Sequence, residues 1–108
     1  MIEGFWLLHA EGPGGTVGGV VIFSNGKVFG GDSGFYYIGT YQEKNGILKS
    51  RVAVHNFDPS IVNILSVAKD YELNVSAAIK DQTMTGTAVV PGVPNQSIAL
   101  HLVKKANL

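Results

Sequence analysis

The chain has 108 residues, 14 of them Gly and none Cys, and eight Lys+Arg balance eight Asp+Glu to a formal net charge of zero. That length fits one domain, 1–108, able to bury a core without staples. The lack of Cys excludes disulfides and thiolate chemistry, and neutrality argues against a nucleic-acid partner, which needs clustered Lys and Arg. No apolar run approaches the ~18–20 residues of a membrane span. Met1-Ile2-Glu3-Gly4 lacks the basic start of a signal peptide. A cytoplasmic protein without membrane contact is the expectation. Charged residues are only 15%, which suits a covered surface better than a freely soluble monomer.

The chain reads as short strands between turn signals. Gly4 to Ala10 is aromatic and aliphatic, and Glu11-Gly12-Pro13-Gly14-Gly15 ends it. Thr16 to Phe23 is rich in β-branched residues, and Ser24-Asn25-Gly26 turns it into Lys27 to Gly31. Asn-Gly between two apolar runs is the strongest short hairpin signal, because a type I′ turn needs positive φ at both central residues. Asp32-Ser33-Gly34 is the next turn, before Phe35 to Gln42. Glu43-Lys44-Asn45-Gly46 is a second Asn-Gly turn, leading into Ile47 to Phe57. Tyr71 to Lys80, Thr83 to Val90 and Ser97 to Lys105 complete eight strands, with turns at Asp81-Gln82 and Pro91 to Pro94. This spacing predicts an all-β barrel or sandwich.

One stretch, about 58–69, departs from the pattern. Asp58 as N-cap and Pro59 at the first helical position would start a helix, and Ile61, Ile64, Leu65 and Ala68 follow helical spacing. The β-branched run 61–64 opposes that, so a short helix or a plug loop over an open barrel end is expected.

Period-two alternation assigns faces. Leu48, Val52 and Val54, then Leu73 and Val75, then Ile98 and Leu100, form apolar stripes opposite polar ones. Such strands are wet on one side. In Phe5 to Leu8 and Val17 to Phe23 both faces are apolar. Sequential strands with tight turns predict an eight-stranded antiparallel up-and-down barrel, whose closure removes its edges. Strand-interior glycines such as Gly39 and Gly86 read as the bends that curl it.

Two sets of residues carry family resemblances. Gly4-Phe5-Trp6 on the first strand, with Lys104-Lys105 on the last, resembles the lipocalin signature. The resemblance implies that Trp6 packs under Lys104 as a barrel-end seal, a cation over an aromatic face. Gly19-Val20-Val21-Ile22-Phe23-Ser24-Asn25-Gly26-Lys27-Val28-Phe29-Gly30-Gly31-Asp32, then Tyr37-Ile38-Gly39-Thr40-Tyr41, resembles the GrlR-like family of negative regulators of bacterial type III secretion. It covers roughly the first half of the chain; the rest fits by strand layout. The resemblance implies a lipocalin-like barrel with an apolar cavity, a plugging segment, a homodimer, and regulation by binding and sequestering a transcriptional activator. The family's acidic cluster in the turn after Tyr-x-Gly is missing: Gln42-Glu43-Lys44-Asn45-Gly46 carries one acid and one base.

Catalytic and metal constellations do not assemble. His9, His55 and His101 read as structural or interface residues, since a metal needs two or three converging ligands. No Gly-x-Ser-x-Gly elbow is present, and the carboxylates fall at turns or wet faces. No cofactor is expected. Asp32 reads as an Asx-turn residue that accepts backbone N–H groups.

The expectation is therefore a non-enzymatic regulatory module that binds a partner protein as a homodimer. Phe5, Leu7, Val21, Phe23 and Tyr37 would form the dimer interface, because aromatics are enriched in interface cores. The turns Asn25-Gly26 and Glu43-Lys44-Asn45 would face the partner. The alternative is a carrier of a small apolar, fatty-acid-like ligand, with Leu48, Val52, Val54, Leu73, Val75, Ile98 and Leu100 lining the cavity.

Overall fold

Alternating apolar and polar residues between tight turns leave little choice but antiparallel sheet. The computed structural model describes residues 2–61 and 70–108, with side chains throughout except at 94 and 95. Among these residues lie eight strands: β1 (Gly4–Gly12), β2 (Gly15–Ser24), β3 (Lys27–Gly31), β4 (Phe35–Lys44), β5 (Ile47–Asn56), β6 (Tyr71–Lys80), β7 (Thr83–Val90) and β8 (Val93–Ala106). Each pairs antiparallel with the next, and β1 pairs with β8 to close the barrel. The expected architecture is present, with no helix among the described residues. Among the described residues no helix is long and apolar enough to cross a membrane. The predicted helix or plug loop falls mainly on 62–69, outside the described residues.

Both Asn-Gly turns behave as their chemistry requires. Asn25 and Gly26 have φ of 53° and 80°, and Asn45 and Gly46 have 55° and 77°, the two positive values of a type I′ turn. These turns, with Asp81-Gln82 and the start of β1, crown one end of the barrel. The opposite end carries Pro13-Gly14, Asp32 to Gly34, residues 57–61 after β5 and Pro91-Gly92. We call them the Asn-Gly end and the Asp32 end.

Inward residues fill the Asn-Gly end solidly. Ile2, Trp6, Val21, Phe23, Val28, Leu48, Ala77, Met84 and Leu102 form one buried cluster. Trp6 packs edge-on to Phe23 at 6.0 Å between centroids, and Phe23 edge-on to Tyr41 at 5.2 Å, the geometry the ring quadrupole favours. The buried indole Nε1 donates to the Ile2 carbonyl at 2.8 Å. Smaller clusters around Ala10, Ala88 and Ile98, and around Phe35, Val52 and Val54, line the wall toward the Asp32 end.

Curvature brings neighbouring backbones together at several glycines, most closely at Gly39 and Gly86. A Cβ on Gly39 would lie 2.1 Å from the Arg51 carbonyl oxygen, and one on Gly86 2.0 Å from that of Ser76. Both obstacles are backbone, so no side chain can swing aside. Gly86→Ala is expected to destabilise the fold by about 1–3 kcal/mol. Gly18→Ala, whose nearest obstacle is 3.8 Å away, should stay within about 0.5 kcal/mol of the parent. Urea midpoints of the two variants check this; equal midpoints would remove the close-approach explanation.

Candidate functional site

Inward side chains shorten from Trp6, Phe23 and Met84 at the Asn-Gly end, and a space of about 230 Å³ opens above them. An eight-stranded barrel is just wide enough to be filled by side chains or to hold one small ligand. Leu48, Val52, Val54, Leu73, Val75, Ile98 and Leu100, the residues predicted to line a cavity, all line it. Their strands carry polar residues on the outer face, so alternation alone sets their phase. Val21, Phe23 and Tyr37 line it as well. This corrects their expected place in a dimer interface. Strands apolar on both faces give alternation no phase, and the register decides: Trp6 pairs with Val21, and Phe5 with Ile22.

The mouth lies at the Asp32 end. Asp32 forms the Asx-turn its sequence suggests: Oδ1 accepts from the backbone N–H groups of Gly34 and Phe35, each at 2.9 Å. Oδ2 accepts from the hydroxyl of Tyr37, and Asp32 also lines the cavity. A contact between a turn residue and the third residue of the next strand has no local motif, so sequence reading missed it. Burial raises the Tyr37 hydroxyl well above its ordinary range, and the hydrogen bond to Asp32 adds to the shift. Tyr71, also lining, is pushed up to about 12, by burial first and then by the Asp32 charge.

Residues 56–61, at the start of the β5–β6 connection, are fastened beside that mouth. The Gly34 carbonyl accepts from Phe57 N at 3.0 Å and from Asn56 Nδ2 at 3.1 Å. Asp58 Oδ1 accepts from both the N–H and the hydroxyl of Ser60, at 3.0 and 2.7 Å. These bonds hold the Asp58 carboxyl below its ordinary range. Ile61 N donates to the Asp58 carbonyl at 3.0 Å, and Ile61 lines the cavity. Its side chain occupies the place of a Gly34 Cβ, which would lie 2.4 Å away.

The outside has a second apolar feature. Phe5, Ile22, Phe29, Ile38 and Ala53 stand opposite one another on successive strands β1 to β5. A second rung runs from Val103 through Leu7 and Val20 to Gly31, Tyr36 and His55. Leu7 is 42% exposed, Phe29 43% and Ile38 48%. Tyr36 stacks on His55 at 5.0 Å. Of the predicted interface residues, Phe5 and Leu7 belong to this face. The opposite face, on β5 and β6, is polar: Arg51 donates to Glu72 Oε1 from Nε at 3.0 Å and Nη2 at 2.8 Å.

The predicted partner-facing turns sit together at the Asn-Gly end. Asn25, Glu43, Lys44 and Asn45 are exposed, and Tyr41 N donates to the Gly26 carbonyl at 2.9 Å. Trp6 and Lys104 are register partners on β1 and β8. The Lys104 stem passes over Gly4, where a Cβ would meet Lys104 Cε at 2.6 Å. His9 and His101 are register partners on the same strands, but among the described residues no three His, Cys, Asp or Glu gather as metal ligands. No protein-family model matches the chain, and no curated protein is significantly similar to it.

The two tyrosines make stability depend on alkaline pH. A phenol whose folded pKa is raised binds its proton more tightly in the fold. Its contribution is complete below the ordinary value of 10.0 and is lost as pH rises through about 12, the folded value of Tyr71. The urea midpoint should therefore fall across that window, and less steeply for Tyr71→Phe. Parallel profiles for parent and variant would contradict the assignment.

Proposed function

We propose that this chain is a non-enzymatic, cytoplasmic binding module of the GrlR-like kind, a homodimer that regulates by stoichiometric binding of a partner protein. The observation that carries this reading is the pair of apolar rungs on the outside of β1 to β5. Monomeric proteins rarely expose contiguous apolar patches beyond a few hundred Å². A face with in-register Phe5, Ile22, Phe29 and Ile38 gains by being covered. A second copy is the simplest cover, since a two-fold axis presents the same face twice. The tips at Asn25-Gly26 and Glu43-Lys44-Asn45 would remain free at the Asn-Gly end for the partner. The resemblance around Gly19 to Asp32 supplies the regulatory context, type III secretion. The mixed charge of Glu43-Lys44 argues for a partner chosen by shape rather than by an acidic patch.

Sedimentation of the native chain should give a dimer. Phe29→Lys with Ile38→Glu puts opposite charges on directly paired outer positions, where they tolerate each other. That variant should sediment as a monomer with its urea midpoint little changed. A native monomer at micromolar concentration would sink the dimer. In a reporter strain carrying the activator of a type III secretion locus, expressing the chain should lower output in proportion to its amount. Unchanged output would remove the regulatory half of the proposal.

A further inference from the structure

The barrel interior has a charge pattern that selects among ligands. Among the described residues that line it, Asp32 is the only acidic side chain, and there is no Lys, Arg or His. A ligand carboxylate inside would be stripped of water, would find hydroxyls (Thr16, Ser33, Ser50, Tyr71) but no cation among these residues, and would lie close to a like charge. A carboxylate can accept about four hydrogen bonds. Asp32 uses three, to Gly34 N, Phe35 N and the Tyr37 hydroxyl. One acceptor position is left on a side chain that borders the cavity. The space of about 230 Å³ exceeds the roughly 150 Å³ of an apolar cavity that takes benzene. It is below the ~300–1,000 Å³ of drug-sized pockets. One ring with a short side arm matches it.

We propose that the barrel interior binds a small apolar molecule bearing one hydrogen-bond donor, neutral or cationic, with the donor on Asp32, and that it discriminates against carboxylates. The fatty-acid class of ligand is thereby disfavoured. Tyr37 positions Asp32 rather than the ligand, because its hydroxyl is already donated to the carboxylate. The apolar walls supply affinity without direction, and Asp32 supplies orientation. This goes beyond the protein-binding proposal, since it uses the inner faces of the strands and stands or falls separately.

Phenethylamine, phenethyl alcohol and hydrocinnamate share a ring and a short arm and differ in the group at its end. Each is titrated into the full chain at neutral pH, by calorimetry and by backbone amide NMR. The amine and the alcohol should bind and shift the amides of Asp32, Tyr37 and Leu73. The amine should bind roughly tenfold or more tighter than hydrocinnamate, as a charge-assisted hydrogen bond replaces a like-charge contact. Asp32→Asn keeps an oxygen for the turn and should erase the amine's advantage. Val75→Phe should fill the space and abolish binding of all three while the circular dichroism stays that of a folded barrel. If Asp32→Asn fails to fold, the probe series on the parent still decides. Hydrocinnamate binding as tightly as the amine overturns the proposal, as does the absence of cavity shifts with all three probes, or binding that survives in folded Val75→Phe.

Discussion

Pairing of β1 with β8 turns a sheet with two open edges into a barrel with none. The register of that seam, Trp6 opposite Lys104, Leu8 opposite Leu102 and Ala10 opposite Leu100, sets which residues of β1 face inward. β1 in turn sets β2 through Trp6 and Val21, and β2 sets β3 through Phe23 and Val28. A slip of one residue at the seam would bring Phe5 and Leu7 inside and put Trp6 in water. The bulge between Phe5 and Trp6 marks where the seam adjusts before the aromatic floor.

That floor and the cavity above it follow from side-chain size along the barrel axis. Large rings of Trp6, Phe23 and Tyr41 meet edge-on at the Asn-Gly end, where they pack without leaving space. Above the floor the rings of Phe35, Tyr37 and Tyr71 return only toward the mouth, and the inward positions are mostly Val, Leu and Ala, with Gly39 and Gly86 contributing only backbone. Side chains of that size do not reach the axis of an eight-stranded barrel. The carboxylate at the mouth is stable there because two backbone N–H groups and one phenol satisfy it. Without them, an acid lining the same space as Phe35, Val54 and Ile61 would be an uncompensated polar group in apolar surroundings.

Legibility in the sequence followed the strength of alternation. Tyr71 to Ile79 and Ile98 to Leu102 carry their inner face openly, so the cavity wall could be named residue by residue. The Asn25-Gly26 and Asn45-Gly46 turns were equally plain, because their chemistry is local. β1, β2 and β4 carry apolar residues on both faces, and there the phase comes from register, which no single strand encodes. Alternation therefore does not distinguish Val21, Phe23 and Tyr37, which face in, from Ile22, Phe29, Tyr36 and Ile38, which face out. The Asp32–Tyr37 contact was hidden for a related reason. It depends on β4 turning its odd-numbered residues inward, so that Tyr37 faces the carboxylate across the mouth.

Neutral charge takes a different meaning once the faces are assigned. The positions of the two outer rungs, from Phe5 to Ala53 and from Val103 to His55, hold no Lys, Arg, Asp or Glu. The inner wall among the described residues holds Asp32 alone. Charged residues lie instead at the tips, such as Glu43 and Lys44, and on the polar outside of β5 and β6, where Lys49, Arg51 and Glu72 stand. The balance of acids and bases is thus a spatial division. One half of the outside is equipped for water, by pairs such as Arg51 and Glu72 whose exposed geometry contributes little to stability. The other half is equipped for removal from water, where each covered apolar side chain contributes directly. A barrel built this way holds two apolar surfaces on alternate residues of the same strands, Tyr36 and Ile38 outside and Tyr37 inside. Closure of the sheet keeps them apart.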